Sequence, residues 1–303
     1  MDTHGKPLSG NPILRQRGVC DPHVRIFNDR AWLYATHDKS PDSPTFVMED
    51  WWVWSSPDLV NWTHECTLRP EDTYIGPGFT SCWATDAAER NGRYYWYFSE
   101  ANRSTGVVVG ETPAGPWRDP LGRPLVSPDD APAGAYDPGV FIDDDGTPYL
   151  VFGVWDYYIA RLNDDMISLA ETPRRVTIHD PEGPYGKGKL DDKPYLHKRA
   201  GVYYLSWGCY YGISDQVYGP YVCRGSVIQE AYVDEPLRYT HASLTYDRHG
   251  SFFEWRGQWY YICNDMSQTR TEFFRESSIG YVFYRNNGEI EPVRLTTAGV
   301  AAP

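Results

Sequence analysis

The stretch Ala135-Tyr136-Asp137-Pro138-Gly139-Val140-Phe141-Ile142-Asp143-Asp144-Asp145-Gly146-Thr147-Pro148-Tyr149-Leu150-Val151-Phe152-Gly153 decides how the chain is read. Val140 and Ile142, then Tyr149 and Val151, alternate with their neighbours at the two-residue period of a strand. Asp144-Asp145-Gly146 between the two runs predicts a hairpin turn, because Asp and Gly tolerate the positive φ of tight turns. Asp137 stands apart. An acid followed by proline at the head of a buried-looking strand is not a packing residue.

The same arrangement recurs along the chain. Asp21-Pro22 leads a strand, the turn Asn28-Asp29 and an aromatic strand through Tyr34. Asp86 precedes Asn91-Gly92 and Tyr94-Tyr95-Trp96-Tyr97-Phe98, and Asp192-Lys193-Pro194 precedes Ala200-Gly201 and Tyr203-Tyr204. His249-Gly250 precedes Arg256-Gly257 and Trp259-Tyr260-Tyr261. The leaders at 21, 86, 137, 192 and 249 lie 65, 51, 55 and 57 residues apart. Each hairpin supplies two strands, and the residues between hairpins can hold two more, as in Val107-Val108-Val109. Four strands at a period near 50 form a propeller blade. The expected fold is therefore all-β: a five-bladed β-propeller of four-stranded antiparallel blades around a central channel. No linker-like segment interrupts it, so residues 1–303 read as a single domain.

Composition agrees. The chain has 24 Tyr and 12 Trp but only 23% charged residues, a balance that suits strands. No apolar run is long enough to span a bilayer as a helix. The net charge of −13 argues against nucleic acid and against an anionic membrane as partners. The six cysteines show no metal-like spacing and read as reduced thiols. Met1 to Lys6 lacks a basic and then apolar leader, so the expected location is the cytoplasm, or outside the cell with a leader already removed. Oligomeric state is not legible. Residues 39–50 and 70–81 read as long loops, a frequent home of function.

In a propeller the starts of the innermost strands meet at one end of the channel. Asp21, Asp137 and Asp192 are expected to converge there, with Asp86 either joining them or serving blade structure. Strand-capping is the bland alternative for each acid. Clustered, desolvated carboxylates separate in pKa, leaving one ionised as a base and another protonated as an acid. Those are the two groups that glycoside cleavage requires. Trp51, Trp52, Trp83 and Trp155 offer flat faces for sugar rings, or for the core.

At this point the sequence resembles glycoside hydrolase family 43 over roughly Asn11 to Thr297. The motifs are Asp21-Pro22, Trp83-Ala84-Thr85-Asp86, Gly115-Pro116-Trp117, Tyr136-Asp137-Pro138, His249-Gly250-Ser251 with Glu254, and Arg275 ahead of Tyr284-Arg285-Asn286-Asn287-Gly288. The resemblance implies Asp21 as general base, Asp137 as the aspartate that tunes the acid, and Arg275 as a substrate contact. It also implies a place for His249 near the axis, where it contacts substrate or helps to hold a structural calcium in the channel. No cofactor is required. The family's acid is a Glu before Gly-Pro or Ala-Pro. Here Asp192-Lys193-Pro194 stands in its place, one methylene shorter, and Glu182 in Glu182-Gly183-Pro184 is the rival.

The expected activity is inverting, exo-acting hydrolysis of plant-type glycans by an α-L-arabinofuranosidase. β-D-Xylosidase and β-D-galactofuranosidase are the alternatives within the family, and a sugar-binding propeller with impaired catalysis is the alternative outside enzymology.

Overall fold

The computed structural model describes residues 1–303 apart from 2, 4, 132 and 133. Alternating hydrophobicity yields strands, and the strands form five antiparallel sheets in chain order. Blade 1 is Val19–Phe27, Arg30–His37, Trp51–Ser56 and Thr63–Leu68. Blade 2 is Cys82–Arg90, Arg93–Glu100 and Ser104–Gly110. Blade 3 is Gly139–Ile142, Pro148–Phe152, Tyr158–Arg161 and the short Arg174–Arg175. Blade 4 is Pro194–Arg199, Val202–Trp207, Tyr210–Ser214 and Tyr221–Ser226, with Ile178–His179 added in parallel at its edge. Blade 5 is Gly250–Trp255, Gln258–Asp265 and Glu276–Val282.

The first strand of each blade packs beside the first strand of the next, and blade 5 returns to blade 1. These five inner strands surround the channel. Blades 2 and 5 depart from the expected four strands. Their outer edges are isolated bridges, Val109 with Arg118 and Tyr284 with Ile290. In blade 2 the Pro113 and Pro116 nitrogens lack the N–H that a ladder needs, so a full fourth strand does not form there. Leu8 bridges Ala301. Asn11 donates to the Ile279 and Thr296 carbonyls at 2.8 and 2.9 Å, fastening residues near both chain ends to blade 5.

The turn read at residues 144–146 is present. Gly146 carries φ +84° and donates to the Asp143 carbonyl at 2.8 Å. The aromatic strands supply the core between blades, with Trp51, Trp96 and Trp207 fully buried. Each indole N–H finds a partner: the Trp83 carbonyl for Trp51, Thr85 Oγ1 for Trp96 and the Glu182 carbonyl for Trp207. A buried indole needs such a bond. All six cysteines are free thiols.

Asp86 does not join the other leaders. A bulge at Ala84 slides the register of the blade 2 inner strand, pairing Trp83 with Ser99 but Thr85 with Phe98. Ala84 thereby reaches the channel mouth and Asp86 lies deeper. Its carboxylate, fully buried, accepts from Arg25 Nε at 3.0 Å, from Arg25 Nη2 and from the Val140 N–H at 2.8 Å. It therefore straps the inner strands of blades 1, 2 and 3 together.

Candidate active site

Three inner strands begin with the same local device. Asp21, Asp137 and Lys193 each precede a proline and carry φ of +45°, +59° and +54°. A residue before proline ordinarily stays extended, and a left-handed non-glycine residue is strained. Recurrent strain of this kind marks a functional constraint. It aims Asp21 and Asp137 into one cavity. In blade 4 the left-handed position belongs to Lys193, one residue beyond the predicted leader Asp192. The Lys193 N–H donates to Asp137 Oδ2 at 3.1 Å, and its ammonium to the Pro138 carbonyl at 2.6 Å.

The cavity is about 180 Å³ and lies at the mouth of the channel. Its polar wall is Asp21, Asp137, Asp191, Asp192, Asp247, His249 and Arg275, and its apolar wall includes Phe46, Trp83, Tyr136, Tyr185 and Tyr246. Arg275 is buried and clamped. Its Nε lies 3.0 Å from Asp38 Oδ2, its Nη1 3.1 Å from Asp21 Oδ1 and 3.4 Å from Asp247 Oδ1. Asn264 donates to Asp21 Oδ1 at 2.9 Å. Burial pushes the Asp21 carboxyl up, but Arg275, His249 and Asn264 outweigh it and hold the group far below the usual carboxylate range. Asp21 is an ionised carboxylate.

His249 sits between two pairs of acids. Nδ1 lies 3.0 Å from Asp247 Oδ1 and 3.4 Å from Asp21 Oδ1. Nε2 abuts Asp192 Oδ1 and lies 3.6 Å from Asp191 Oδ2. Burial opposes charge on the ring, yet Asp192 and Asp247 raise its pKa well above the ordinary value. Asp137 is driven the other way from Asp21. Burial and then the Asp192 charge push it up to about 7. Burial and Asp192 likewise push Asp191 up to about 6. The cavity thus separates its carboxyls into ionised and protonated members.

Glu182 is not in this cavity. It pairs with Lys187 at the base of the hairpin formed by Glu182–Gly183 and Gly186–Lys187, and lines another groove with Cys223 and Arg224. The hairpin tip instead delivers Tyr185 to the cavity. Of the predicted stacking residues, Trp83 lines the cavity, and Trp155 stands on the rim, 50% exposed. Trp51 is core, and Trp52 stacks on His37 at 3.5 Å. His241 lies outside the cavity lining, 3.6 Å from Glu272. The loop of residues 39–50 supplies Phe46 and Met48, and residues 70–81 brace it through the bond from the Met48 N–H to the Thr80 carbonyl.

Sequence reasoning missed Asp38, Asp191, Lys193 and Asp247. The Asp191-Asp192 doublet and Asp247, two residues before His249, were visible signals. Asp38 gave none.

Asp191 Oδ2, Asp192 Oδ1 and His249 Nε2 are buried, converge, and make no well-directed hydrogen bond. These atoms lie within 4.8 Å of one another, as do those of Asp21, Asp247 and His249. Such an oxygen-rich set suits calcium, a hard cation. The residues therefore fit the calcium that the resemblance implies.

Known proteins fit the same frame. The sequence profile of glycosyl hydrolases family 43 matches residues 9–290. The β-D-galactofuranosidase xynD of Aspergillus niger is 31% identical across 98% of this chain and 88% of its own length. The GH43_1 enzyme of Xanthomonas citri, solved in complex with xylose, superposes with a TM-score of 0.76 at 25% identity, covering 94% of each chain. An α-L-arabinofuranosidase of Clostridium thermocellum superposes at 0.73 with 28% identity, over 95% of this chain and 98% of its own. The five-bladed ring, the carboxylate cavity and these likenesses agree: the chain belongs to glycosyl hydrolase family 43 and is an O-glycosyl hydrolase.

Proposed function

We propose that the protein releases single non-reducing-end furanosyl units with inversion, and that the sugar is α-L-arabinofuranose. One observation carries the inverting part of this reading: the His249 imidazole lies between Asp21 and Asp192. An imidazole spans about 2.2 Å between its nitrogens, so the two carboxylates approach within about 8 Å, compatible with the roughly 6.5–9.5 Å that single displacement uses. Asp21, held ionised by Arg275, takes a proton from the attacking water. Asp192 is the residue on the leaving-group side that passes a proton to the leaving oxygen. Asp137, behind it and linked through the Lys193 N–H, keeps Asp192 placed and, pushed up to about 7, is the carboxyl that holds a proton near neutral pH. The charge on His249 and Arg275 balances the acids before and after transfer. Calcium held by Asp191, Asp192 and a neutral His249 would supply positive charge there in place of the imidazolium, with all three residues deprotonated.

Exo action is supported by the small cavity and by Phe46 and Met48, which wall one side of it. A second reading, β-D-galactofuranose as the released sugar, is favoured by the name of the Aspergillus relative. A screen with nitrophenyl arabinofuranoside, xyloside and galactofuranoside separates these, run beside Asp21→Asn and Asp192→Asn. Proton NMR of the first anomer released tests inversion. Glycan binding without turnover on any substrate would leave a sugar-binding propeller instead.

A further inference from the structure

The Lys193 side chain is a buried cation to which the chemistry above gives no task. The residue is 1% exposed. It lines neither the catalytic cavity nor the hollow of about 410 Å³ at the opposite end of the channel, which Arg25, Glu89, Ile142 and Lys198 help to form. An ammonium held away from water is costly unless it is paired. Among the described residues Lys193 forms no ion pair. Asp86, the nearby acid deeper in the channel, is taken by Arg25. The one acceptor for the Lys193 ammonium, which has three N–H donors, is the Pro138 carbonyl at 2.6 Å. The backbone is strained as well, with φ +54°. An apolar side chain or a glycine would complete the fold here at lower cost.

The lysine grips one turn at two points. Its N–H holds Asp137 Oδ2, and its Nζ holds the carbonyl of Pro138, the next residue. Asp192 is its own neighbour in the chain. Burial lowers the Lys193 pKa, and the attraction of Asp86, Asp137 and Asp21 opposes that fall. Of the two buried cations bonded to the acids of the site by an N–H, Arg275 serves Asp21 and Lys193 serves Asp137.

We propose that Lys193 is a positioning residue for the acid side of the site: its ammonium is a fixed positive charge that offsets the negative charge Asp137 and Asp192 gain when Asp192 loses its proton. The inference rests on the glycosidase reading above. In that step the glycosidic oxygen takes the Asp192 proton and keeps the electron pair of the breaking C–O bond. The water oxygen bonds to the anomeric carbon, and Asp21 takes the water proton. One negative charge thus disappears at Asp21 and one appears at the Asp137–Asp192 pair. A cation already in place in a water-excluded channel stabilises that charge without reorganising. Lys193 touches no substrate and acts through the two acids.

The test uses whichever of nitrophenyl arabinofuranoside, xyloside and galactofuranoside the wild type cleaves. Lys193→Met keeps the length of the side chain and removes the charge. Its kcat is expected to fall at least about tenfold while KM stays within about twofold, because the loss falls on the transition state alone. Lys193→Gly suits the positive φ and vacates the space of a butylammonium ion. Added n-butylammonium is expected to restore kcat at least about fivefold with saturation, whereas 1-butanol, of the same length and uncharged, restores none. Thermal unfolding shows whether each variant is folded at the assay temperature, and the Lys193→Gly pair of additions decides alone if Lys193→Met is not. An unchanged kcat in Lys193→Met, a loss that lies in KM, or a Lys193→Gly protein that butylammonium fails to repair or 1-butanol repairs equally overturns the role of the charge. Wild-type protein that cleaves none of the three glycosides overturns the glycosidase reading itself, an outcome distinct from an active wild type indifferent to Lys193→Met.

Discussion

Removing the Asp86 carboxylate is expected to cost stability and to leave the chemical step in place. In Asp86→Ala the Arg25 guanidinium loses its fully buried partner, and the Val140 N–H loses its acceptor. Burial alone would raise the Asp86 pKa, but Arg25 holds it below the ordinary value, so the carboxylate is charged in the folded protein. Breaking a buried pair from one side costs about 3–5 kcal/mol, because the remaining charge is left uncompensated. With unfolding entropy near 2.1 cal/mol/K per residue, each kcal/mol is worth roughly 1.6 °C in a chain of 303 residues. Asp86→Ala should therefore lower Tm by roughly 5–8 °C in scanning calorimetry. The double variant Arg25→Met/Asp86→Leu, which removes both charges and keeps bulk, should recover most of that loss. At temperatures where each variant is folded, kcat should stay within a few-fold of wild type. A Tm within 1 °C of wild type together with a lost kcat would refute the reasoning and return Asp86 to the catalytic group.

Three further outcomes are expected. Asp137 has a folded pKa near 7 against an ordinary 3.8, so the native state binds the extra proton between those values and its stability falls as pH rises through them. The stability of wild type relative to Asp137→Asn should decline by up to about 1.4 kcal/mol per pH unit from pH 4 to 7 in urea titrations, and a flat difference would contradict the burial argument. In Gly250→Ala the new Cβ would lie 1.8 Å from the Ile262 carbonyl oxygen, so blade 5 must shift. A loss on the order of 3 kcal/mol is expected, with reduced activity because His249 is the adjacent residue. Calcium at 100 times its Kd should stabilise the protein by about 2.7 kcal/mol, and no rise in Tm between chelator and 10 mM calcium would remove the ion from the account.

The fold was legible because its signals are local. Val140 and Ile142 alternate within four residues, and Asp145-Gly146 sits beside them. The site was legible only in part, because its residues meet through ring closure. Asp21 and Arg275 are 254 positions apart and 3.1 Å apart in space. Asp38 follows the strand Arg30–His37, whose sequence carries no mark of the guanidinium beside it. For Asp86 the sequence allows both channel and blade, and a bulge at Ala84, a one-residue slip that no periodicity reveals, decides for the blade. Lys193 was hidden for a related reason: the residue that turns left-handed before Pro194 is set by the backbone and not by charge. Glu182 carried the right neighbours, Gly183 and Pro184, in the wrong place, since a hairpin of six residues turns its tip and not its base toward the cavity.

The distribution of the site over the ring bears on how activity is acquired during synthesis. Asp21 is contributed early in the chain, Asp137 and Asp192 in the middle, and His249 and Arg275 near the end, while Asn11 must wait for Thr296 before its bonds can close. No stretch shorter than residues 21–275 holds Asp21, Asp192 and Arg275 together. A nascent chain that has not yet made blade 5 lacks His249 and Arg275, and the cavity they share with Asp21 forms only when the last blade docks against the first. Catalytic competence in this architecture is a report on completed assembly.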